Sequence, residues 1–258
     1  MSIASEISRL NTAKADIKTA IQNKGVSVSS STKIDGYPSL INQIQTFDPY
    51  NGHTYVEIGG LKWATMNIGA NSVTDYGLFF QWGDTAGYTA SQVGPSGTTY
   101  AKPFAWSDYK FGNGTSSPGV SGMTKYNSGD AKTVLDICDD AARANWGGSW
   151  RMPTKDEYVA LGNAVNTAWT SDYKSTGVAG MICTAKDGSG AELFFPAAGR
   201  CKDGSVESVG YYCYYWSSSL YTNNMQSAYY LDSSSKNGAY WDSSYRRYYG
   251  YAVRPVVG

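Results

Sequence analysis

Twelve of the chain's 22 tyrosines fall in the 41 residues from Tyr211 to Tyr251, more than three times the share that uniform placement would give. With them stand nine Ser, three Asn and two Asp, against one Lys and two Arg. Tyrosine suits strands, and some of these rings must be core. Alternation sorts the rings. In Ala228-Tyr229-Tyr230-Leu231-Asp232, placing Leu231 inward takes Tyr229 with it and leaves Tyr230 and Asp232 exposed. About half of the twelve rings are expected to pack, and the others to form an exposed aromatic surface of the kind that marks an interaction site.

The composition is that of a binding surface. Tyrosine brings a large contact area with few torsions to freeze and a hydroxyl to bond with, while Ser, Asn and Asp supply adaptable polar contacts. The expected ligand contacts are Tyr212, Tyr214, Tyr221, Asn223, Asn224, Tyr230, Asp232, Tyr240, Asp242, Tyr245, Tyr249 and Tyr251. Strict alternation from Trp216 turns Tyr212 and Tyr214 inward, so their display requires a bulge or loop before Tyr215.

The first 45 residues are of another kind, with no Trp and one apolar ladder. Ile3, Ile7, Leu10, Ile17 and Ile21 recur at spacings of four and three, with Lys14 on the one polar rung. An amphipathic helix of about 20 residues follows, ended by Gly25. Tyr37 to Ile44, with Pro38 in its first turn, predicts a short second helix. Such a stripe cannot be buried by one helix alone. Two readings stand: a helical hairpin docked on the main domain, or self-association and docking into a larger assembly. The organisation expected is a helical segment over residues 1–46 and a binding domain over 47–258.

Beyond Phe47 the signals are strands and turns. His53 to Ile58 and Leu61 to Ile68 flank Gly59-Gly60 as a hairpin, and the Gly-, Ser- and aromatic-rich chain to residue 130 predicts long ordered loops. Thr154-Lys155-Asp156-Glu157 is a capping box, with Tyr158, Leu161 and Val165 on one face of the helix it opens. Lys132 to Asn145, with Val134, Leu135, Cys138, Ala141 and Ala142 on one side, predicts an earlier helix. Two main helices among short antiparallel strands and long loops make an α+β domain.

Charge and motif content exclude several functions. Twenty-one basic residues balance 21 acidic ones, so no global field draws nucleic acid, and the tail lacks a basic groove for single strands. The longest strictly apolar run, Leu193 to Ala198, is six residues against the roughly 20 that cross a bilayer, so no membrane insertion is expected. Glu6 and Arg9 interrupt the region where a signal peptide would be apolar, so synthesis in a cytoplasm without a secretory signal is expected. Cys138, Cys183, Cys201 and Cys213 include no C-x-x-C pair. Free or buried thiols are expected, with three pairings open if they are oxidised. His53, the one histidine, sits in the predicted hairpin as a surface or structural residue, and Asp139-Asp140 are expected as solvated helix carboxylates. No nucleophile–base pair is legible, so no catalytic residue, metal site or cofactor is expected.

Five strings, in order, resemble the C-type-lectin-like domains of gut Bacteroides-type proteins, which share the formylglycine-generating-enzyme type of fold. They are GLKWATMNIG (60–69), WGGSWRMPTKDEY (146–158), LFFPAAGR (193–200), YWSSS (215–219) and RYYGYAVRPV (247–256). The resemblance covers about residues 50 to 258. It implies a C-type-lectin-like fold whose last strands and loops make the ligand face, with Trp150, Arg151, Trp216, Arg247 and Arg254 as framework. The enzyme branch of that fold holds copper on a late cysteine pair. Cys201 and Cys213 lack the strings of that branch, and no calcium-type Glu-Pro-Asn loop is present.

The opening, ISRLNTAKADIKTAIQNKGVSVSSSTKIDGYPSLINQI, resembles the N-terminal segments of phage tail and virion proteins. The tail's bias resembles the variable region, here about 211–255, of proteins diversified by a retroelement. There, adenine randomisation turns Asn codons into Tyr, Ser, Asp or Cys, and Cys213 fits as one product. The resemblance implies a phage or prophage receptor-binding protein on the virion tail, holding a bacterial surface protein or glycan. Residues 1–46 would then join other virion proteins, with a homotrimer expected. Two alternatives are a structural virion component whose tyrosines pack on a neighbour, and an oxidase related by fold.

Overall fold

A computed structural model describes residues 2–23, 27–41, 50–95 and 101–258. Contacts divide the chain into two units, Met1–Asn51 and Gly52–Gly258. The expected boundary near residue 46, the helix-ending role of Gly25 and the end of the second helix at Ile44 lie outside the described residues.

In the first unit the apolar ladder forms α1 (Ile3–Asn23), and Pro38 sits in the first turn of α2 (Tyr37–Ile41). Ile21 is buried with Val28 and Tyr37, with Leu40 packed against them, and the Tyr37 hydroxyl donates to the Lys14 carbonyl. Ile3, Ile7, Leu10 and Ile17, the rest of the ladder, remain exposed.

The second unit is mixed helix and strand built on small antiparallel sheets. The Gly59-Gly60 turn, with both residues at positive φ, joins β1 (Tyr55–Ile58) to β2 (Leu61–Ala64). Beyond the loops come α3 (Ala141–Trp146) and α4 (Lys155–Ala164). Thr154 caps α4 through the Glu157 amide, while Glu157 accepts from the Thr154 amide, the reciprocal pairing its sequence predicts. Next, β3 (Val165–Thr170), β4 (Gly180–Ala185) and β5 (Glu192–Pro196) form one meander, and β6 (Arg200–Lys202) and β7 (Ser205–Glu207) a short hairpin. The tyrosine-rich segment folds as a three-stranded sheet of β8 (Tyr212–Leu220), β9 (Ser227–Ser234) and β10 (Gly238–Arg246), with β9 central. Finally β11 (Val256–Val257) returns to β2.

The core brings the sheets together through Trp63, Tyr158, Phe195, Tyr215 and Leu231. Arg254 crosses it fully buried, donating to Asn67 Oδ1 at 2.9 Å and to the carbonyls of Ala64, Thr65 and Phe194 at 2.9–3.0 Å. A buried guanidinium is tolerated only when its donors are met in this way. Trp150, Trp216 and Arg247 are buried as well, while Arg151 is half-buried on Glu157.

One predicted helix is much shorter than expected. Over Lys132–Asp136 the chain is not helical: Leu135 donates to the Ser218 carbonyl and Thr133 accepts from Leu220, so this stretch pairs with β8. A 3-10 turn spans Ile137–Asp139, and the α-helix starts only after Asp140, whose side chain caps the Arg143 amide and accepts from Met152. Asp139 and Asp140 are accordingly buried, not solvated. Burial would raise Asp139, but hydrogen bonds from Lys110, Lys125 and Tyr126 hold its carboxyl below the ordinary value. At Asp140 burial outweighs the backbone donors and pushes the carboxyl up.

Candidate functional site

The register of the tail sheet divides its side chains into two faces. Tyr214 lies opposite Asp232, and Asp232 opposite Tyr240; one step along, Trp216 lies opposite Tyr230 and Tyr230 opposite Ser243. Residues directly opposite in antiparallel strands share a face. One face therefore carries Tyr212, Tyr214 and Trp216 from β8, Tyr230 and Asp232 from β9, and Tyr240, Ser243 and Tyr245 from β10. The other carries Cys213, Tyr215, Leu231, Ala239 and Trp241 into the core.

The aromatic face is covered over β8 and β9 around Trp216 and Tyr230, and open toward the start of β8 and along β10, where Tyr245 is 41 % exposed. Tyr251 comes in above it, its ring 4.2 Å from Trp216, 4.9 Å from Tyr230 and 5.1 Å from Tyr214. Tyr249 extends the cluster to Tyr245, at 5.0 Å. Toward the start of β8 cover is lost: Tyr212 and Asp232 are half-buried, Tyr240 is 52 % exposed and Tyr211, just before the strand, is 70 % exposed. A cleft of about 170 Å³ lined by Ser208, Tyr211, Tyr212, Ser234, Ser235 and Lys236 opens there. A larger groove of about 520 Å³, lined among others by Tyr76, Leu78, Val178 and Val209, includes no expected contact residue.

Four expected contacts are therefore corrected. Tyr214, Tyr230, Tyr249 and Tyr251 are buried, Tyr230 to 7 % exposure. The Tyr230 assignment supposed that one face of β9 meets water, whereas the returning chain around Tyr251 covers it. Tyr214 follows the strict alternation from Trp216; the register does shift in β8, but between Trp216 and Leu220, beyond Tyr215. Six of the twelve tail tyrosines are buried in all. Asp232 is half-buried, not fully exposed.

Tyr221, Asn223 and Asn224 stand elsewhere, at the β8–β9 turn, where the Asn224 side chain accepts from the Gln226 amide and Tyr221 meets Tyr229 edge-on at 5.3 Å. Tyr229, expected inward, is half-buried there, with the Lys155 ammonium 5.4 Å from its ring centre. Asp242 is exposed and interacts electrostatically with that lysine. The expected residues thus divide between the aromatic face and this second group beside α4.

Two participants were missed from sequence. Arg200, from the separate β6–β7 hairpin, lies over Tyr214 at 5.6 Å and Tyr249 at 5.3 Å while bonding Glu207 at 3.0 and 3.1 Å. No local pattern points to it. Tyr211 follows Gly210 outside the strand, where alternation says nothing. Burial of the face has an electrostatic consequence as well: desolvation pushes the Asp232 carboxyl up to about 6, against a smaller lowering by Arg200.

Other reactive groups are already occupied. Asp136, Cys138 and Asp139 bring metal-type donor atoms within 4.8 Å of one another, but both carboxylates are bonded to lysines: Lys125 reaches both, Lys110 reaches Asp139 and Lys132 reaches Asp136. Burial pushes the Cys201 and Cys213 thiols up, away from the thiolate that soft-metal binding needs, and Cys213 donates to the Phe195 carbonyl. His53 stacks on Trp146 at 3.6 Å. No family model matches the chain, and no curated protein or solved structure matches it at a significant level.

Proposed function

We propose that this chain is a non-enzymatic receptor-binding protein of a phage or prophage, with a C-type-lectin-like domain that grips a bacterial surface molecule by the open end of its tail sheet. One observation carries the reading. Tyr211, Tyr212, Asp232 and Tyr240 gather at one end of a face whose other end is locked by Trp216, Tyr230 and Tyr251. A rigid aromatic base with displayed rings at its rim is the arrangement in which a few anchors dominate affinity. The fold assignment draws on the strings that carry the resemblance, whose Trp150, Trp216, Arg247 and Arg254 are buried. Within this reading the buried positions, Cys213 included, are scaffold, and variation belongs to the displayed ones.

Residues 1–46 serve attachment or assembly. The exposed Ile3, Ile7, Leu10 and Ile17 are the surface they offer, and copies on one virion raise weak contacts by avidity. Replacing Tyr211, Tyr212 and Tyr240 together by Ala is expected to abolish adsorption to host cells while particles assemble normally. Loss of assembly instead favours a structural virion component. In the gene, a nearby near-copy of the DNA for residues 211–255, differing mainly at adenines and beside a reverse transcriptase, is the expected mark of diversification. Mismatches scattered over all four bases reject it.

A further inference from the structure

At the open rim stands a carboxylate, that of Asp232, with no hydrogen-bonded or ion-paired partner among the described residues, although it is half-buried. The groups facing it are Tyr212 and Tyr214 from β8, Tyr230 two residues away on β9, Tyr240 from β10, and Arg200 with Glu207 from the β6–β7 hairpin. Among the described residues Arg200 is the one cation that acts on Asp232, and its Nε and Nη2 are bonded to Glu207 while the guanidinium lies over the Tyr214 and Tyr249 rings. Glu207 is matched by Arg200, and Asp242 interacts with Lys155 beside α4, leaving Asp232 as the unmatched charge of the aromatic face.

From this geometry, and resting on the binding role proposed above, we propose that Asp232 is the anchor of the ligand site and takes a protonated nitrogen of a polypeptide ligand, a lysine- or arginine-type side chain whose carbon stem lies along Tyr212 and Tyr240. A half-desolvated carboxylate recovers both a hydrogen bond and a counter-charge from such a group, whereas a neutral sugar hydroxyl returns only the first. The flanking rings suit the same partner: a phenol face attracts a cation and covers an alkyl stem. Truncating one partner of a desolvated charge pair is among the costliest changes at an interface, which is why one aspartate can dominate this one.

The test uses the intact protein and N-acetyl-lysine-N-methylamide, with the Nε-acetylated form and methyl α-glucoside as neutral probes. The lysine amide is expected to shift the ring signals of Tyr212 and Tyr240 at concentrations up to about 100 mM, the range of a single weak contact. Because the carboxyl is ionised only above about 6, the apparent affinity should fall roughly tenfold from pH 7.5 to pH 5. Asp232→Asn should abolish the response with unchanged near-ultraviolet circular dichroism. An equal response to either neutral probe, no response to the lysine amide, or a response that survives in Asp232→Asn overturns the proposal. Adsorption separates this failure from that of the binding role. If Asp232→Asn particles adsorb normally while the tyrosine triple variant does not, the anchor falls and the role stands; if both adsorb normally, the role falls too.

Discussion

The two ends of the tail sheet are made from the same residues and do opposite work. At the covered end, Tyr214, Tyr230, Tyr249 and Tyr251 join Trp216 in a closed aromatic cluster; at the open end, Tyr211, Tyr212 and Tyr240 face solvent around Asp232. Residue type does not separate them. What does is the cover that the returning chain brings: Tyr214 and Tyr240 share the row of Asp232, yet only Tyr214, which the Tyr251 ring meets at 5.1 Å, is buried. Displayed rings can thus sit on a locked base made of the same residue type.

The sharpest way to break this comparison is to truncate a ring at each end. Tyr251→Ala removes the ring that touches Trp216, Tyr214 and Tyr230 and should cost about 3–5 kcal/mol of unfolding free energy, read by urea denaturation. A loss near that of a surface site would show that the cluster is not a base at all. Tyr251→Phe should act in the other direction. Its hydroxyl is buried without a hydrogen-bond partner among the described residues, so its removal is expected to leave stability unchanged or raise it by about 1 kcal/mol.

Asp232 sharpens the boundary between the ends, because it titrates where cover begins. Its carboxyl is raised from the ordinary 3.8 to about 6, so the folded state holds the proton more tightly than the unfolded chain does. The stability associated with this group is therefore complete below 3.8 and is lost as pH rises through about 6. Asp232→Asn should match the parent near pH 3.5 and become the more stable protein above pH 6, by about 1 kcal/mol once solvent screening of a half-exposed group is allowed for. Thermal melts at the two pH values check it. A gain of equal size at both would place the effect in packing and not in charge.

Legibility in the sequence followed the range of the interactions. The α1 ladder, the Gly59-Gly60 turn and the Thr154–Glu157 box are local patterns, and each lies in the element it predicts. The Lys132–Asn145 pattern was helical in period, but Leu135 and Thr133 found backbone partners in β8, eighty-odd residues on, and the helix retreated to Asp140. Tyr230 was misplaced for a similar reason: alternation distinguishes two faces and does not know whether a third layer covers one of them. Arg200 could not be found this way, since it reaches the tyrosines from another hairpin.

The smallest effect on stability is expected where the effect on function is largest. Tyr240 is 52 % exposed on the edge strand β10, and Tyr211 stands outside the sheet. Truncating either ring to Ala should change unfolding free energy by no more than about 0.5 kcal/mol, because little area returns to water that was not already there. If both rings are anchors, adsorption to host cells should nevertheless fall at least about tenfold for each, since an interface anchor commonly carries more than 1.4 kcal/mol. The contrast with Tyr251→Ala is the measurement: one tyrosine whose loss strongly destabilises the domain, and two whose loss leaves it stable and weakens adsorption. Comparable losses of stability at both ends would mean that the open rim is held by contacts of its own and is scaffold like the rest.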